Sequence, residues 1–267
     1  MLNSNQVKEY ISLGNSHGFF GYGKWSSDIY LIGIEEAGGY SEDLIQQKIN
    51  RYFQLNCGDE GLFDNRTFQY DLTDIDDPSL PNYQDFFDGN FQQGGYVPKI
   101  ATFLKTLENS SLDRPRYVCQ KLGSVESNHS LIEILPLPSP KVSDWKYPEW
   151  INLNELPFMN TKANYINRVI QARANFIRNK INENDDKKLV VFLANGIDKI
   201  NYWNLISPIP INNYERTIHN NIPSHIENNK MYVNVPFPGS FSSNGIFNSE
   251  IEIINIGNHV KSIFDRL

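Results

Sequence analysis

Two adjacent carboxylates, Glu35 and Glu36, end an apolar run in the sequence LIGIEEAGG, which covers residues 31–39. A carboxylate beside an anomeric carbon can stabilise an oxocarbenium-like transition state, and it can take a proton from an attacking water. The small residues at 37–39 would let a ligand approach the backbone closely. The structural alternatives are a helix cap or an ion pair for either acid, and a tight strand-to-helix turn that merely needs glycine.

A third acid, Glu133, lies within the apolar stretch SLIEILPL at residues 130–137. A carboxylate only accepts hydrogen bonds, so it suits the exocyclic amine of cytosine better than a carbonyl group. If Glu133 is buried, its pKa is raised, and its proton can pass to the ring nitrogen of a leaving base. The alternative is a glutamate that faces solvent from the edge of a sheet.

A loop near the end of the chain, FPGSFSSNG at residues 237–245, is rich in glycine and serine. Its backbone N–H groups and hydroxyls can hold a phosphate. The aromatic ring of Phe241 can fill the gap that an extruded base leaves in a duplex. The candidate DNA-binding residues of this loop are Gly239, Ser240, Phe241, Ser242 and Ser243.

Four short apolar runs predict the strands that position these residues. They lack clean alternation, which is typical of central strands covered on both faces. The runs are 28–34, 130–137, 188–196 and 230–237, and helical patterns cover 41–56, 96–109, 161–182 and the C-terminal 19 residues. Strands that alternate with helices indicate an α/β fold with a mainly parallel sheet. Active sites of such sheets lie beyond the carboxyl ends of the strands, where all three candidate segments fall.

The helical pattern at 161–182 carries five basic residues. At 100° per residue they scatter around the helix axis, so we expect most of them to form a solvated face. They are Lys162, Arg168, Arg173, Arg178 and Lys180.

The net charge of −7 is concentrated in one segment. Residues 57–95 hold nine acidic residues and one base, Arg66, so the rest of the chain is close to neutral. Net charge therefore does not exclude a nucleic-acid partner. Proline and glycine punctuate this segment, and we interpret it as an acidic insertion of irregular structure, not as a separate domain.

Composition excludes several classes of protein. No apolar run reaches the roughly 18 residues of a membrane span, and the N-terminus lacks a secretory signal pattern. Two cysteines, Cys57 and Cys119, cannot build a four-thiolate metal site and make a disulfide framework improbable, which favours a cytoplasmic protein. The histidines show no metal-ligand spacing, and no glycine motif for nucleotides occurs. We expect neither a metal nor a cofactor.

Three segments taken together resemble the uracil-DNA glycosylase superfamily: GIEEAG (33–38), EILPLPSP (133–140) and VPFPGSFSS (235–243). Proteins of that superfamily carry a water-activating motif after the first strand, a base-recognition residue after the second, and a DNA-contacting loop after the last. The resemblance covers roughly residues 25–267. It implies one domain over 1–267 with a three-layer α/β/α fold and a central four-stranded, mainly parallel sheet.

Roles follow from the resemblance by position. Glu35 matches the residue that positions the attacking water, Glu133 matches the base-recognition asparagine, and Phe241 matches the wedge residue. Phe237 falls where the late loop often has histidine, so that electrophile is missing. The implied base-binding residues are Gly33, Ile34, Ala37, Gly38, Glu133 and Phe237.

The resemblance implies a DNA glycosylase that flips out a base and hydrolyses its N-glycosidic bond. We expect a monomer that acts on double- or single-stranded DNA away from membranes. Uracil is the default base, but Glu133 and the open space at Ala37 favour a cytosine-type base with a bulky 5-substituent. Glucosylated hydroxymethylcytosine in phage DNA is one such base, which would make this an anti-phage enzyme. The alternatives are a uracil-DNA glycosylase of base-excision repair and a non-catalytic nucleic-acid-binding protein of the same fold.

Overall fold

A computed structural model describes residues 1–14, 17–35, 41–56, 58–72, 83–90, 96–139, 144–183, 185–194, 197–236 and 249–267. The strands in these ranges are β1 (Gly21–Tyr22), β2 (Ile29–Gly33), β3 (Leu62–Phe63), β4 (His129–Glu133), β5 (Lys188–Leu193), β6 (Glu215–Ile218), β7 (Ile222–Glu227) and β8 (Lys230–Val235). The helices are α1 (Ser4–Tyr10), α2 (Glu42–Gln54), α3 (Asn65–Gln69), α4 (Tyr83–Phe87), α5 (Tyr96–Leu107), α6 (Arg114–Gln120), α7 (Tyr147–Trp150), α8 (Lys162–Asn182), α9 (Ile197–Trp203) and α10 (Glu250–Phe264).

The strands form one mixed sheet in the order β3-β1-β4-β2-β5-β8-β7-β6. The predicted α/β class is confirmed, but the sheet in the described residues has eight strands instead of four. The four central neighbours β4, β2, β5 and β8 run parallel, and they arise from the four apolar runs. The outer strands were missed because they are very short or polar; most of β6 is exposed and shows no apolar run.

Helices cover both faces of the central strands, because alternate side chains of each strand enter different cores. Tyr30 and Ile32 of β2 belong to one core, together with Val169 of α8. Ile29 and Leu31 of β2 belong to the other core, with residues of α5 and α10. Burial on both faces explains why these strands read as continuous apolar runs.

The four predicted helices are confirmed as α2, α5, α8 and α10. Three of them begin after a hydroxyl residue that caps the first turn. The side chains of Ser41, Thr161 and Ser249 each accept a backbone N–H of that turn. Such caps satisfy donors that have no partner inside the helix, and they fix where the helix begins.

The described parts of the acidic segment, 58–72 and 83–90, contain regular secondary structure. They contribute β3 to an edge of the sheet and contain α3 and α4. Phe63 and Phe68 are buried against each other, with ring centroids 5.0 Å apart. Aromatic residues interspersed among the acids therefore anchor the described part of this segment to the core.

Candidate active site at the carboxyl ends of two strands

Strands β2 and β4 lie side by side and bring two of the candidate acids to one edge of the sheet. Gly33 pairs with Glu133 in parallel register. Beyond the strands, the N–H of Ile134 donates to the Gly33 carbonyl at 3.1 Å, and the N–H of Leu135 donates to the Ile34 carbonyl at 2.7 Å. Glu35 follows these hydrogen bonds directly. Glu35 and Glu133 therefore both lie where the carboxyl ends of neighbouring strands meet, which we call the carboxyl edge of the sheet.

Glu133 is the last residue of an interior strand, because β4 lies between β1 and β2. The residue is only partly exposed and its Oε2 is buried, so the carboxylate does not simply face solvent. A β-carbon built on Gly33 would stand 2.8 Å from Oε2 of Glu133 and 3.2 Å from its Oε1. The half-buried carboxylate therefore lies over the α-carbon of Gly33, and the glycine makes room for it.

Tyr96, the first residue of α5, is close to Glu133. Burial raises the pKa of the Tyr96 hydroxyl, and the charge of Glu133 raises it further. The residue as a whole is 36% exposed, so part of its side chain remains accessible. An aromatic side chain thus borders the carboxylate that the sequence assigns to base recognition. Nothing in the helical pattern of this segment distinguished Tyr96.

Glu35 is held by two side chains from other parts of the chain. Its Oε1 accepts a hydrogen bond from Nζ of Lys162 at 2.7 Å and from Oγ of Ser139 at 3.0 Å. Nζ of Lys162 also donates to Oγ of Ser139 at 2.6 Å. The side chains of Glu35 and Lys162 are only 15% and 16% exposed, which makes this a largely buried ion pair. We call these three residues the Glu35 clamp.

The second oxygen of Glu35 has a different environment. Oε2 is buried and has no hydrogen-bond partner among the residues that the structure describes. A buried carboxylate oxygen normally accepts a hydrogen bond, so this atom fits a water or a ligand hydroxyl. Glu35 therefore forms an ion pair, which was one of the structural alternatives for this residue. The two donors of the clamp contact Oε1 and not Oε2.

Arg173 of α8 supports the backbone at Glu133. The guanidinium is 1% exposed and donates to the carbonyls of Phe19, Glu133 and Ile134 at 2.6, 2.9 and 2.7 Å. It also donates to Oγ of Ser12 at 2.6 Å. Burial lowers the pKa of Arg173 to about 10, although neighbouring groups that include Glu133 act in the opposite direction. Arg173 therefore fixes the main chain at Glu133 and at the residue that follows it.

A tyrosine of the same helix lies between these groups. The hydroxyl of Tyr165 accepts the backbone N–H of Leu137 at 3.2 Å. Burial raises the pKa of Tyr165, the charge of Arg173 opposes this, and the charge of Glu35 adds to it. Lys162, Tyr165 and Arg173 thus connect one helix to the ends of both strands.

The expectation that most of these basic residues form a solvated face is wrong, because Arg178 and Lys180 are only partly exposed, and the same stripe of α8 that packs on the core carries Lys162 and Arg173. The latter two point toward the sheet, whereas Arg168 is exposed as expected. The signal was present in the spacing: residues 162, 166, 169, 173 and 177 follow one another at intervals of three or four, which places them on the apolar stripe. A charge on that stripe indicates a buried polar contact.

Several predicted site residues lie outside the described residues. These are Glu36, Ala37, Gly38, Phe237, Gly239, Ser240, Phe241, Ser242 and Ser243. Ile34 is described, and its side chain packs against the core while its carbonyl accepts from Leu135. The Ile34 carbonyl is therefore already bonded, and its side chain is packed against the core, so neither group is presented freely to a base.

A cleft of about 440 Å³ opens among the described residues at the opposite end of the sheet. It is lined near the amino ends of β2, β4 and β5, by residues that include Asp28, Glu108 and Lys261. Lys261 forms an ion pair with Asp265 at 2.8 Å, and Glu108 contacts His129. These charged residues of the cleft are therefore paired with other residues of the protein. We place the candidate site at the carboxyl edge, where a buried carboxylate keeps one oxygen for a ligand.

Comparison with protein-family models, with curated proteins and with solved structures gives no match to this chain. Among the described residues, no group of three or more His, Cys, Asp or Glu side chains could hold a metal ion. None of the described helices has both the length and the apolar character that crossing a bilayer requires. Function must therefore be argued from the chemistry of the carboxyl edge.

Proposed function

We propose that this chain is a DNA glycosylase of the uracil-DNA glycosylase type, which extrudes a base and hydrolyses its N-glycosidic bond. The observation that carries the proposal is the Glu35 clamp. A carboxylate at the end of a central strand is fixed through Oε1, while its buried Oε2 has no hydrogen-bond partner among the described residues. The four adjacent parallel strands and the helices on both faces support a three-layer fold of that type.

In this mechanism, Oε2 of Glu35 accepts a proton from the water that attacks the anomeric carbon. Lys162 and Ser139 restrict rotation of the carboxylate, so Oε2 stays aimed at one position. Because the charge of Lys162 offsets that of Glu35, we assign Glu35 chiefly to orienting and deprotonating the water. Such general-base assistance contributes roughly 10²–10⁴ in rate.

Glu133 is the base-recognition residue of the proposal. Its carboxylate is half-buried, lies over Gly33, and has Tyr96 close to it. An acceptor-only group at this position favours a base with an exocyclic amine. We therefore propose a cytosine-type substrate, with a bulky 5-substituent as the preferred form. In that case the enzyme acts against phage DNA containing such bases, as a cytoplasmic monomer.

The test is a panel of matched duplex and single-stranded oligonucleotides that carry uracil, cytosine, hydroxymethylcytosine or its glucosylated form. Abasic sites are scored after treatment with the wild-type protein and with Glu35→Gln. Excision by the wild type that is lost in the variant would support the proposal, and fastest release of the glucosylated base would support the substrate. If uracil is excised fastest, the substrate is uracil, as the resemblance alone implies, and not a modified cytosine.

A non-catalytic nucleic-acid-binding protein is the second candidate, and the ion pair itself favours it. Lys162 neutralises Glu35, and a pair of this kind can serve structure alone. That candidate predicts DNA binding without abasic sites on any oligonucleotide of the panel. Binding measured by fluorescence anisotropy on the same oligonucleotides separates it from the glycosylase.

A further inference from the structure

The geometry points to a second activity at the same site: Lys162 acts as an amine nucleophile toward an abasic deoxyribose, which makes the protein a DNA lyase as well. This inference rests on the proposed function, because it takes the sugar to lie at the Glu35 clamp. It concerns the product that base excision leaves behind, an abasic sugar whose open-chain form is an aldehyde. Primary amines of lysine form imines with such carbonyl groups.

The position of Lys162 carries the argument. Its Nζ lies 2.7 Å from Oε1 of the carboxylate that is proposed to direct water to the anomeric carbon. Once the base has left, that carbon remains at the clamp and the amine is the nearest strong nucleophile in the described site. Lys162 is the first residue of α8, so its backbone is held by a capped helix, and its Nζ is held by Glu35 and Ser139.

The neighbours of Nζ supply the necessary proton acceptor. Glu35 accepts a hydrogen bond from Nζ, and Ser139 receives a second one at 2.6 Å. A proton that passes from Nζ to Oε1 leaves a neutral amine and a carboxylic acid. The 2.6 Å contact with Ser139 keeps Nζ beside the carboxylate that would take and return its proton.

The chemistry balances with no added oxidant or reductant. The lone pair of Nζ attacks C1′ of the aldehyde, and the resulting carbinolamine loses its hydroxyl as water after protonation by the Glu35 acid. The product is an iminium ion between Nζ and C1′. The Glu35 carboxylate then removes a proton from C2′, the bond between C3′ and its oxygen breaks, and the 3′ phosphate leaves. Water finally hydrolyses the imine and releases Lys162.

The test uses the full-length protein and an oligonucleotide with a pre-formed abasic site, so it does not depend on base excision. Borohydride reduces an imine to a stable amine and so links protein to DNA. We expect the wild type to give a covalent adduct whose linked peptide, identified by mass spectrometry, contains Lys162. Lys162→Arg keeps the positive charge toward Glu35 but is not a nucleophile, and it should reduce the adduct at least ten-fold.

Lys180→Arg is the matched control, because Lys180 lies near the other end of α8 and pairs with Glu60 and Glu183. It should give as much adduct as the wild type, and thermal unfolding should show that both variants are folded. Absence of adduct from the wild type, or adduct that persists in Lys162→Arg, would overturn the inference. The panel of modified bases is scored in a separate experiment. Absence of a lyase adduct therefore leaves the glycosylase proposal standing, and absence of base excision leaves the adduct on the pre-formed abasic site interpretable.

Discussion

The carboxylate of Glu133 lies over the α-carbon of Gly33, so that a β-carbon at residue 33 would stand 2.8 Å from Oε2. The two residues are register partners on parallel strands, and partners in a parallel pair project to the same face. Glycine is needed here for space, since the acid occupies the volume that any side chain would fill. Gly33 of the first segment, GIEEAG, therefore helps to position Glu133 of the second segment, EILPLPSP.

We predict that Gly33→Ala lowers the excision rate and alters base preference, because the Glu133 carboxylate must move to avoid the new methyl group. Because the clashing atoms are the far end of a long side chain, the loss of stability should lie at or below the low end of the roughly 1–3 kcal/mol that overpacking costs. The measurement is the ratio of excision rates on cytosine-type and uracil-type oligonucleotides, together with the midpoint of thermal unfolding.

A double-mutant cycle tests whether the Gly33 effect passes through Glu133. Glu133→Ala removes the atoms that would clash, so Gly33→Ala should have little further effect on stability in that background. Coupling between residues in contact typically reaches about 0.5–3 kcal/mol. Additive effects of the two substitutions would show that Gly33 acts independently of the acid.

Glu35→Gln should reduce excision by roughly 10²–10⁴, since the amide cannot accept a proton from water. Its oxygen can still accept from Lys162 and Ser139, so DNA binding should stay within a few-fold of the wild type. Single-turnover rates and binding isotherms on one oligonucleotide measure the two effects. If Glu36→Gln is inactive while Glu35→Gln keeps full activity, the role of the general base moves to Glu36.

Glu133→Asn should shift preference from cytosine-type toward uracil-type bases, because asparagine adds a donor that can face a carbonyl. A buried donor or acceptor left without its partner costs about 1–3 kcal/mol, so the preference should change ten-fold or more. Initial rates on paired uracil and hydroxymethylcytosine oligonucleotides check this. An unchanged ratio would remove Glu133 from base recognition.

A separate prediction concerns stability at the amino ends of the strands, where Glu108 accepts several hydrogen bonds. Nδ1 of His129 donates to it at 2.7 Å, the hydroxyl of Tyr117 at 2.7 Å and the N–H of Asn128 at 3.1 Å. Burial acts to raise the pKa of Glu108, but the bonds and charge of His129 and the other donors outweigh it and lower the pKa. The folded protein therefore favours the ionised form.

Because the folded-state pKa lies below the unfolded value, this stabilisation is present above about pH 4.3 and is lost as pH falls through the folded-state pKa. Glu108→Gln should lower the free energy of unfolding by about 1–3 kcal/mol at pH 7 and by much less near pH 3. Urea unfolding at both pH values measures the difference. Glu126→Gln is the control, because its carboxylate is 81% exposed and should change stability by no more than about 0.5 kcal/mol.

The sequence by itself determined the elements whose signals are local. Continuous apolar runs predicted the four central strands, and helical patterns predicted α2, α5, α8 and α10. These signals are readable because burial and capping act on residues close together in the chain. Glu35 and Glu133 were found in the same way, as acids that lie directly beside apolar strand residues.

Only the tertiary structure decided what those acids touch. The contacts of Glu35 with Ser139 and Lys162 join residues 104 and 127 positions apart. The pairing of Gly33 with Glu133 depends on β4 lying next to β2, which the order of the strands along the chain does not fix. The outer strands were equally invisible because they are very short, as β3 is, or polar, as β6 is, and pairing with a neighbour forms them. Partners distant in the chain meet only when the whole sheet has formed, so the Glu35 clamp is a property of the fold.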